Sequence, residues 1–183
     1  MALKSTIYKA ELQLSDMNRN VFGDFSLTLA RHPSETDERM MMRLLAFALH
    51  AHEALAFGKG LSTDDEPDLW QKDLTGAIEL WIEVGQPDER RMLKACGRSE
   101  QVVVYCYGSA SGVWWEQTAG KVARAANLSV FRVASEVSRE LAALAQRSMR
   151  LQCTIQDEQL WFSGGEKTVL IELLPLKAVG VTR

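Results

Sequence analysis

An acidic segment, an isolated glutamate and a row of basic side chains are the residues best suited to chemistry. Thr63–Asp68 has four carboxylates in six residues, and Glu83 stands near the end of an apolar run. Arg90, Lys94 and Arg98 recur every four residues, which on a helix forms one positive stripe. Carboxylate oxygens suit Mg²⁺ and cations hold phosphate. The combination is therefore the one that metal-dependent phosphodiester hydrolysis requires.

A simpler interpretation explains the same residues. Structural ion-pair networks also bring charged groups together and shift their pKa values. An acidic strand end facing Arg90 and Lys94 therefore fits a local salt-bridge network without catalysis. The acidic segment fits a solvated loop as well as a cation site. Its spacing does not match an EF-hand, which needs a glycine at the sixth position of its loop.

Two apolar segments predict the elements that position these side chains. Ile78–Val84 alternates apolar and polar residues, which predicts a strand with Glu83 at its solvent-open C-terminal end. Pro87 and Asp88 then predict the start of a helix that carries the positive stripe. Gln101–Tyr107 predicts a second buried strand, and strand–helix–strand with short connections predicts a parallel pair.

Helical spacing of apolar residues predicts one long helix from about Glu35 to Phe57. Glu53 then lies on an apolar helix face, where a carboxylate is costly unless it is paired or bound to a metal. Two explanations stay open. Glu53 is a metal ligand, or it meets a partner such as Lys59 or His50 or lies at an exposed helix end.

The remaining segments predict more strands than helices. Alternating residues at 5–14 and Val21–Leu29 predict an N-terminal β-hairpin, and the tail predicts a C-terminal antiparallel meander that pairs with it in one sheet. The other predicted elements are helices at Val113–Ala126 and Ser135–Arg147, a strand at Leu128–Val133, and meander strands at Arg150–Gln156, Gln159–Ser163 and Thr168–Leu174.

Composition limits the classes of function. The chain has 183 residues, of which 46% are hydrophobic and 25% charged, so we expect a single domain over 1–183 with a real core and no global disorder. The net charge of −3 requires any nucleic-acid site to be a local basic patch. Three separated cysteines without a CxxC motif argue for buried thiols and against zinc. We expect a cytoplasmic protein, because no signal peptide or membrane-spanning run is apparent.

Several long strings resemble the bacterial YaeQ family, and the likeness covers nearly the whole chain. They are TLARHPSETDERMMMRLLAF (Thr28–Phe47), DDEPDLW (Asp64–Trp70), LWIEVGQPDERRMLKAC (Leu80–Cys96) and RLQCTIQD (Arg150–Asp157). The resemblance implies a variant of the PD-(D/E)XK nuclease fold. That fold is an α+β arrangement with an α/β-like core, in which helices flank a mixed central β-sheet.

The resemblance also implies roles for individual residues. Asp68 and Glu83 match the motif's two acids and would bind Mg²⁺ or Mn²⁺, with Glu53 as an additional helix acid. Gly85 stands where the motif has its lysine, which orients the attacking water or offsets developing charge. The nearest replacement is Lys94, whose long side chain could fold back to the strand end.

Two hypotheses for function follow. In the first, the protein is a Mg²⁺-dependent nuclease or phosphodiesterase in which Asp68, Glu83 and Lys94 are catalytic. The substrate is DNA or RNA, and its backbone is held by Arg90, Arg91 and Arg98. In the second, the protein keeps the nuclease scaffold without catalysis and binds nucleic acid or a protein partner. The absent motif lysine and the negative net charge favour the second hypothesis. The acidic segment, Glu83, the basic helix and the resemblance favour the first, which is our prediction.

Overall fold

A computed structural model describes residues 3–59 and 65–179 of the chain. Within that part the protein forms an α+β structure with two mixed sheets and four helices, which confirms the predicted class. In chain order the elements are β1 (Thr6–Asp16), β2 (Val21–Arg31), α1 (Asp37–His50), β3 (Leu55–Phe57), β4 (Leu69–Lys72), β5 (Ile78–Val84), α2 (Glu89–Arg98), β6 (Ser99–Cys106), α3 (Ser111–Val122), β7 (Leu128–Arg132), α4 (Ser135–Ala142), β8 (Ser148–Gln156), β9 (Gln159–Gly164), β10 (Lys167–Ile171) and β11 (Leu174–Lys177).

These elements form two compact units. Residues 3–51 and 136–172 form the first, and residues 52–59, 65–135 and 173–179 form the second. The expectation of one domain over the whole chain stays a prediction. No helix in the described ranges is long and apolar enough to cross a membrane.

The first unit contains a five-stranded sheet in the order β10-β9-β8-β1-β2. β1 pairs with β2 over its whole length and also runs parallel to β8, so the N-terminal hairpin and the tail share one sheet, as predicted. On β1 the buried side chains alternate at Ala10, Leu12 and Leu14, which is the pattern of a sheet with one covered face. The Thr36 hydroxyl caps α1 by accepting a hydrogen bond from the Arg39 amide at 3.1 Å.

The predicted helix from Glu35 to Phe57 is too long, because α1 ends at His50. The Arg19 guanidinium donates to the carbonyl oxygens of Ala48 and Ala51 at 3.2 and 3.3 Å, which satisfies the end of the helix. The following residues turn, and Leu55–Phe57 forms β3 instead. The spacing of apolar residues could not show where α1 ends, because Arg19, which bonds the end of the helix, lies 29 residues before Ala48 in the chain.

The second unit contains a six-stranded sheet in the order β11-β7-β6-β5-β4-β3. β5, β6 and β7 are mutually parallel, which confirms the predicted strand–helix–strand pairing. Buried side chains from one face of this sheet form a single cluster with α2 and α3: Trp81, Met92, Ala95, Val102, Val104, Cys106, Val122, Leu128 and Val130. This face of β5 is therefore covered by helices.

Three other predicted bounds need correction. The tail strand predicted at Thr168–Leu174 divides, because β10 ends at Ile171 while Leu174 begins β11, which pairs with β7. The helices predicted at Val113–Ala126 and Ser135–Arg147 are observed as Ser111–Val122 and Ser135–Ala142. Element ends are set by caps and tertiary contacts, which the apolar period does not show.

Candidate functional site

The pairing of β4 with β5 brings Asp68 beside Glu83. The two strands are antiparallel with Leu69 opposite Ile82, so one further step of the register places Asp68 opposite Glu83. The Asp68 amide donates to the Ile82 carbonyl at 3.1 Å, and Asp68 Oδ2 accepts a hydrogen bond from the Val84 amide at 2.7 Å. The two side chains are only 6% and 3% exposed. Two carboxylates from neighbouring strands are thus buried at one end of the sheet.

Glu83 is held by two donors that reach the same oxygen. The Trp81 indole Nε1 donates to Glu83 Oε1 at 2.7 Å, and Arg91 Nε donates to it at 2.8 Å. Trp81 and Glu83 lie two residues apart on β5 and therefore share the face that α2 covers. The expectation of a solvent-open position for Glu83 is wrong, because the helix side chains cover it.

The start of α2 fixes the position of Arg91. Asp88 is the N-cap, and its Oδ1 accepts a hydrogen bond from the Arg91 amide at 2.8 Å, which places Arg91 in the first turn. Arg91 Nη2 also donates to the Glu66 carbonyl at 2.9 Å. One arginine thus joins the acidic segment, the end of β5 and the beginning of α2.

The pKa of Glu83 is raised from its usual value of 4.5 to about 7, and burial is the largest cause. The nearby charge of Asp68 also raises this pKa, while Arg91 and the Trp81 indole lower it. Desolvation disfavours the ionised form of any acid, and a second carboxylate adds repulsion. The Glu83 carboxyl can therefore gain or lose a proton close to neutral pH.

The side chains of the predicted positive stripe mainly contact the acidic segment. Lys94 Nζ donates to Asp65 Oδ1 at 2.8 Å, and Arg98 Nη1 donates to the Asp65 carbonyl at 3.2 Å. The Arg98 guanidinium also lies 5.2 Å from the centre of the Trp81 ring. Arg90 is exposed on the same helix. Arg91, rather than Lys94, is the cation that contacts Glu83. Residues Thr63 and Asp64 of the predicted acidic segment lie outside the described residues.

Glu53 does not lie on a helix. It occupies a turn between α1 and β3, and its side chain is exposed. In the described ranges, no group of three or more His, Cys, Asp or Glu side chains is arranged to hold a metal ion. Asp68 and Glu83 are close neighbours. The metal-binding role of Glu53 stays a prediction, but the helix face from which it was inferred does not include this residue.

Gly85, the residue that the resemblance to the nuclease motif matches with a lysine, has a backbone conformation that favours glycine. Its φ is +107°, and its amide donates to the Tyr105 carbonyl at 2.9 Å. A Cβ at this position would meet no heavy atom within 4 Å. A lysine here would therefore find space but would strain the backbone.

Sequence reasoning missed the parts that Trp81 and Arg91 take in the site. The period of two along a strand places Trp81 on the same side as Glu83. A cap at Asp88 places Arg91 in the first turn of the helix, so this position could have been predicted from the sequence. The direction in which the helix crosses the sheet was not available from either pattern. That direction decides which cation meets Glu83.

Comparison with known proteins gives the family. A family model described as YaeQ protein matches residues 1–173. The chain belongs to the YaeQ family. It is 49% identical over 174 residues to a protein of Escherichia coli (strain K12) described as "Uncharacterized protein YaeQ", an alignment that covers 94% of this chain and 96% of the relative. A Salmonella typhi protein with the same description has the same identity and coverage.

Solved YaeQ structures have the same fold as this chain. The crystal structure of YaeQ from Xanthomonas axonopodis pv. citri superposes with a TM-score of 0.91 at 49% identity, covering 95% of this chain and 99% of that one. The Pseudomonas syringae YaeQ structure also gives 0.91, at 38% identity, covering 95% and 97% of the two chains. This chain therefore shares its fold with both YaeQ structures.

Proposed function

We propose that this YaeQ protein is a variant of the PD-(D/E)XK nucleases and hydrolyses phosphodiester bonds of nucleic acid with the help of a divalent cation. The observation that carries the proposal is the buried pair of carboxylates, Asp68 and Glu83, on neighbouring strands of a mixed sheet. Such pairs are costly unless positive charge compensates them, so a perturbed pair at a strand end is a candidate functional site.

The chemistry of this pair fits Mg²⁺ or Mn²⁺. Mg²⁺ is usually bound through one or two carboxylates, with water and substrate phosphate completing its ligands. The charge of Asp68 raises the pKa of Glu83, and a cation bound by both would remove that repulsion. Asp68 and Glu83 would hold the ion, which would supply an activated water and stabilise charge on the phosphate.

The neighbouring residues of the chain position the acids. Arg91 holds Glu83 Oε1 in one orientation and places positive charge beside the two acids. Offsetting negative charge at the reaction site is one of the two roles of the motif lysine. The Trp81 indole covers the acid and strengthens electrostatic interactions by excluding water. Lys94, the predicted catalytic lysine, donates to Asp65 Oδ1 at 2.8 Å, so a catalytic role for it requires that this contact opens when substrate binds. Arg90 and Arg98 on the same helix would contact substrate phosphates, which positions a nucleic acid without reading its sequence.

A second candidate is a non-catalytic protein that binds nucleic acid or a protein partner. Two observations favour it. Gly85 supplies no side chain where the motif has a lysine, and Glu83 already has a cation at 2.8 Å. An ion pair of this kind can stabilise a fold without any catalytic task.

A cleavage assay separates the two candidates. Labelled DNA and RNA oligonucleotides, single-stranded and duplex, are incubated with the wild type, Glu83→Gln and Glu79→Gln, with Mg²⁺, Mn²⁺ or EDTA. Glu79 is a matched control because it lies on β5 but accepts its hydrogen bond from Gln71, at 2.8 Å. We expect metal-dependent cleavage by the wild type and by Glu79→Gln, and none by Glu83→Gln.

Two results would contradict the proposal. One is equal cleavage by Glu83→Gln and the wild type. The other is binding without cleavage that is insensitive to the metal and weakens steeply with salt, which would support the second candidate.

A further inference from the structure

Arg132 is a cation on the same face of the sheet as Glu83, and the proposed function does not use it. It is the last residue of β7, and its cross-strand partner on β6 is Cys106. Burial raises the pKa of the Cys106 thiol to about 11, and Arg132 acts against that rise, so the guanidinium lies near this thiol. Cys106 packs in the cluster that contains Trp81 and Met92. Arg132 therefore points to the helix-covered side.

Arg132 is half-buried, and its guanidinium has no anionic partner in residues 3–59 and 65–179. Its Nη1 lies 3.5 Å from the position that a Cβ of Gly112 would take, and Gly112 belongs to the first turn of α3. That turn contains no acidic residue. A partly buried cation without a counter-ion is costly, and an anion at this place would lower that cost.

Arg132 and the acid pair lie at the same edge of the sheet. Glu83, Val104 and Val130 are paired across β5, β6 and β7, and Arg132 lies two residues after Val130. With strands about 4.8 Å apart and about 3.3 Å per residue, the Cα atoms of Glu83 and Arg132 are about 12 Å apart.

Glycines occupy the strand ends between these two places. Gly85 follows β5 and Gly108 lies just after β6, and each has a positive φ, +107° and +82° respectively. A Cβ on either residue would meet no heavy atom within 4 Å. The edge between the carboxylates and the arginine thus has no side chain at these two positions, while the Gln86 amide crosses it to donate to the Tyr107 carbonyl. A ligand would approach the backbone beside that contact.

We propose that Arg132 binds a phosphate group of the polynucleotide whose neighbouring phosphodiester bond lies at Asp68 and Glu83. This inference rests on the proposed function, because the acid pair defines the place of the reacting bond. It adds a second point of attachment on the opposite side of the glycine edge. Two points fix the direction of the strand across the sheet, whereas the exposed stripe of α2 alone would not.

The test is binding of labelled single-stranded oligonucleotides in EDTA, so that affinity is measured without cleavage. The variants are Arg132→Gln and Arg124→Gln. Arg124 is a matched control because it is exposed, follows α3 and lies just before β7, at the opposite edge of the same sheet. One lost phosphate contact should lower the slope of log affinity against log salt by about 0.7, and affinity should fall about tenfold. Arg124→Gln should match the wild type.

Arg132→Lys keeps the charge and should retain most of the affinity, which provides a second variant if Arg132→Gln unfolds. Equal affinities and salt slopes for the wild type and Arg132→Gln would overturn the inference. So would the absence of oligonucleotide binding by the wild type. The cleavage assay with Glu83→Gln decides the proposed function separately, since cleavage that survives in Arg132→Gln with unchanged affinity would refute only the role of Arg132.

Discussion

Arg91 Nε and Glu83 Oε1 are 2.8 Å apart, and this ion pair joins the first turn of α2 to the end of β5. The carboxylate is almost fully buried, whereas the guanidinium is partly exposed. Without this cation, the hydrogen bond from the Trp81 indole would be left to oppose burial and the charge of Asp68 at Glu83. The pair therefore lowers the pKa of Glu83 against the larger effect of burial, and it places positive charge beside the two acids.

The raised pKa of Glu83 makes stability depend on pH. The unfolded carboxyl has a pKa of 4.5 and the folded one about 7, so the folded state holds this proton more tightly. The stabilisation is complete below about pH 4.5 and is lost as pH rises through about 7, a change of up to about 3 kcal/mol. Urea unfolding of the wild type and Glu83→Gln across this range measures it. The wild type should lose stability relative to the variant as pH rises, and parallel curves would contradict the raised pKa.

Removing the guanidinium should raise the pKa of Glu83 above 7, because Arg91 is the main group that lowers it. At about pH 8, Arg91→Gln should lower the free energy of unfolding by about 2 kcal/mol, since it leaves a buried carboxylate without its charged donor. Side-chain carboxyl NMR and urea unfolding measure the two effects. Arg90→Gln, which removes an exposed charge from the same helix, is the control, and equal effects of the two variants would contradict the assignment.

Lys94 and Arg91 should act on different carboxyls. The hydrogen bond from Lys94 holds the pKa of Asp65 below its usual value, so Lys94→Ala should let that pKa rise and leave Glu83 unchanged. Arg91→Gln should do the reverse. Carboxyl NMR titrations of both variants test the distinction, and a shifted Glu83 in Lys94→Ala would show that Lys94 reaches the acid pair.

A buried ion pair in the first unit predicts a large loss of stability. Arg43 Nε and Nη2 donate to the two oxygens of Glu35 at 2.8 Å each, and both side chains are buried. Arg43→Met should cost about 3 kcal/mol, because it leaves the buried Glu35 carboxylate with only the Arg39 guanidinium, which lies 3.1 Å from its Oε1. Adding Glu35→Leu should recover part of that loss, since no buried charge is then left at 35 or 43 and Arg39, which loses its partner, is partly exposed.

The control for this pair is Glu136→Gln. Glu136 and Arg139 form an exposed pair at 3.8 Å, and removal of such a pair changes stability by about 0.5 kcal/mol or less. Thermal or urea unfolding of the four proteins completes the comparison. A small effect of Arg43→Met, similar to that of Glu136→Gln, would refute the buried pair.

Local patterns predicted much of the fold. The alternation in β1, β2 and β5 and the spacing in α2 gave the elements and their order, because one buried face leaves a clear period in the sequence. The end of α1 was not predictable in this way. It depends on Arg19, a side chain from the hairpin turn, and the same error put Glu53 on a helix face.

The candidate site was predictable as a set of residue types but not as a set of contacts. Asp68 and Glu83 meet through strand register, which no local period encodes, and their pairing was inferred only through resemblance to the YaeQ family. The choice between Arg91 and Lys94 depends on how α2 crosses the sheet. Burial of Glu83 by Trp81 and the helix depends on the same crossing.

Manganese calorimetry tests the central claim, that Asp68 and Glu83 together bind a divalent cation, most directly. Mn²⁺ is titrated into the wild type, Glu83→Gln and Glu79→Gln at about pH 8, where Glu83 is ionised, with and without an oligonucleotide to supply phosphate ligands. Binding by the wild type and by Glu79→Gln that disappears in Glu83→Gln is the predicted result. Absence of binding to the wild type under both conditions, or equal binding by all three proteins, would contradict the claim.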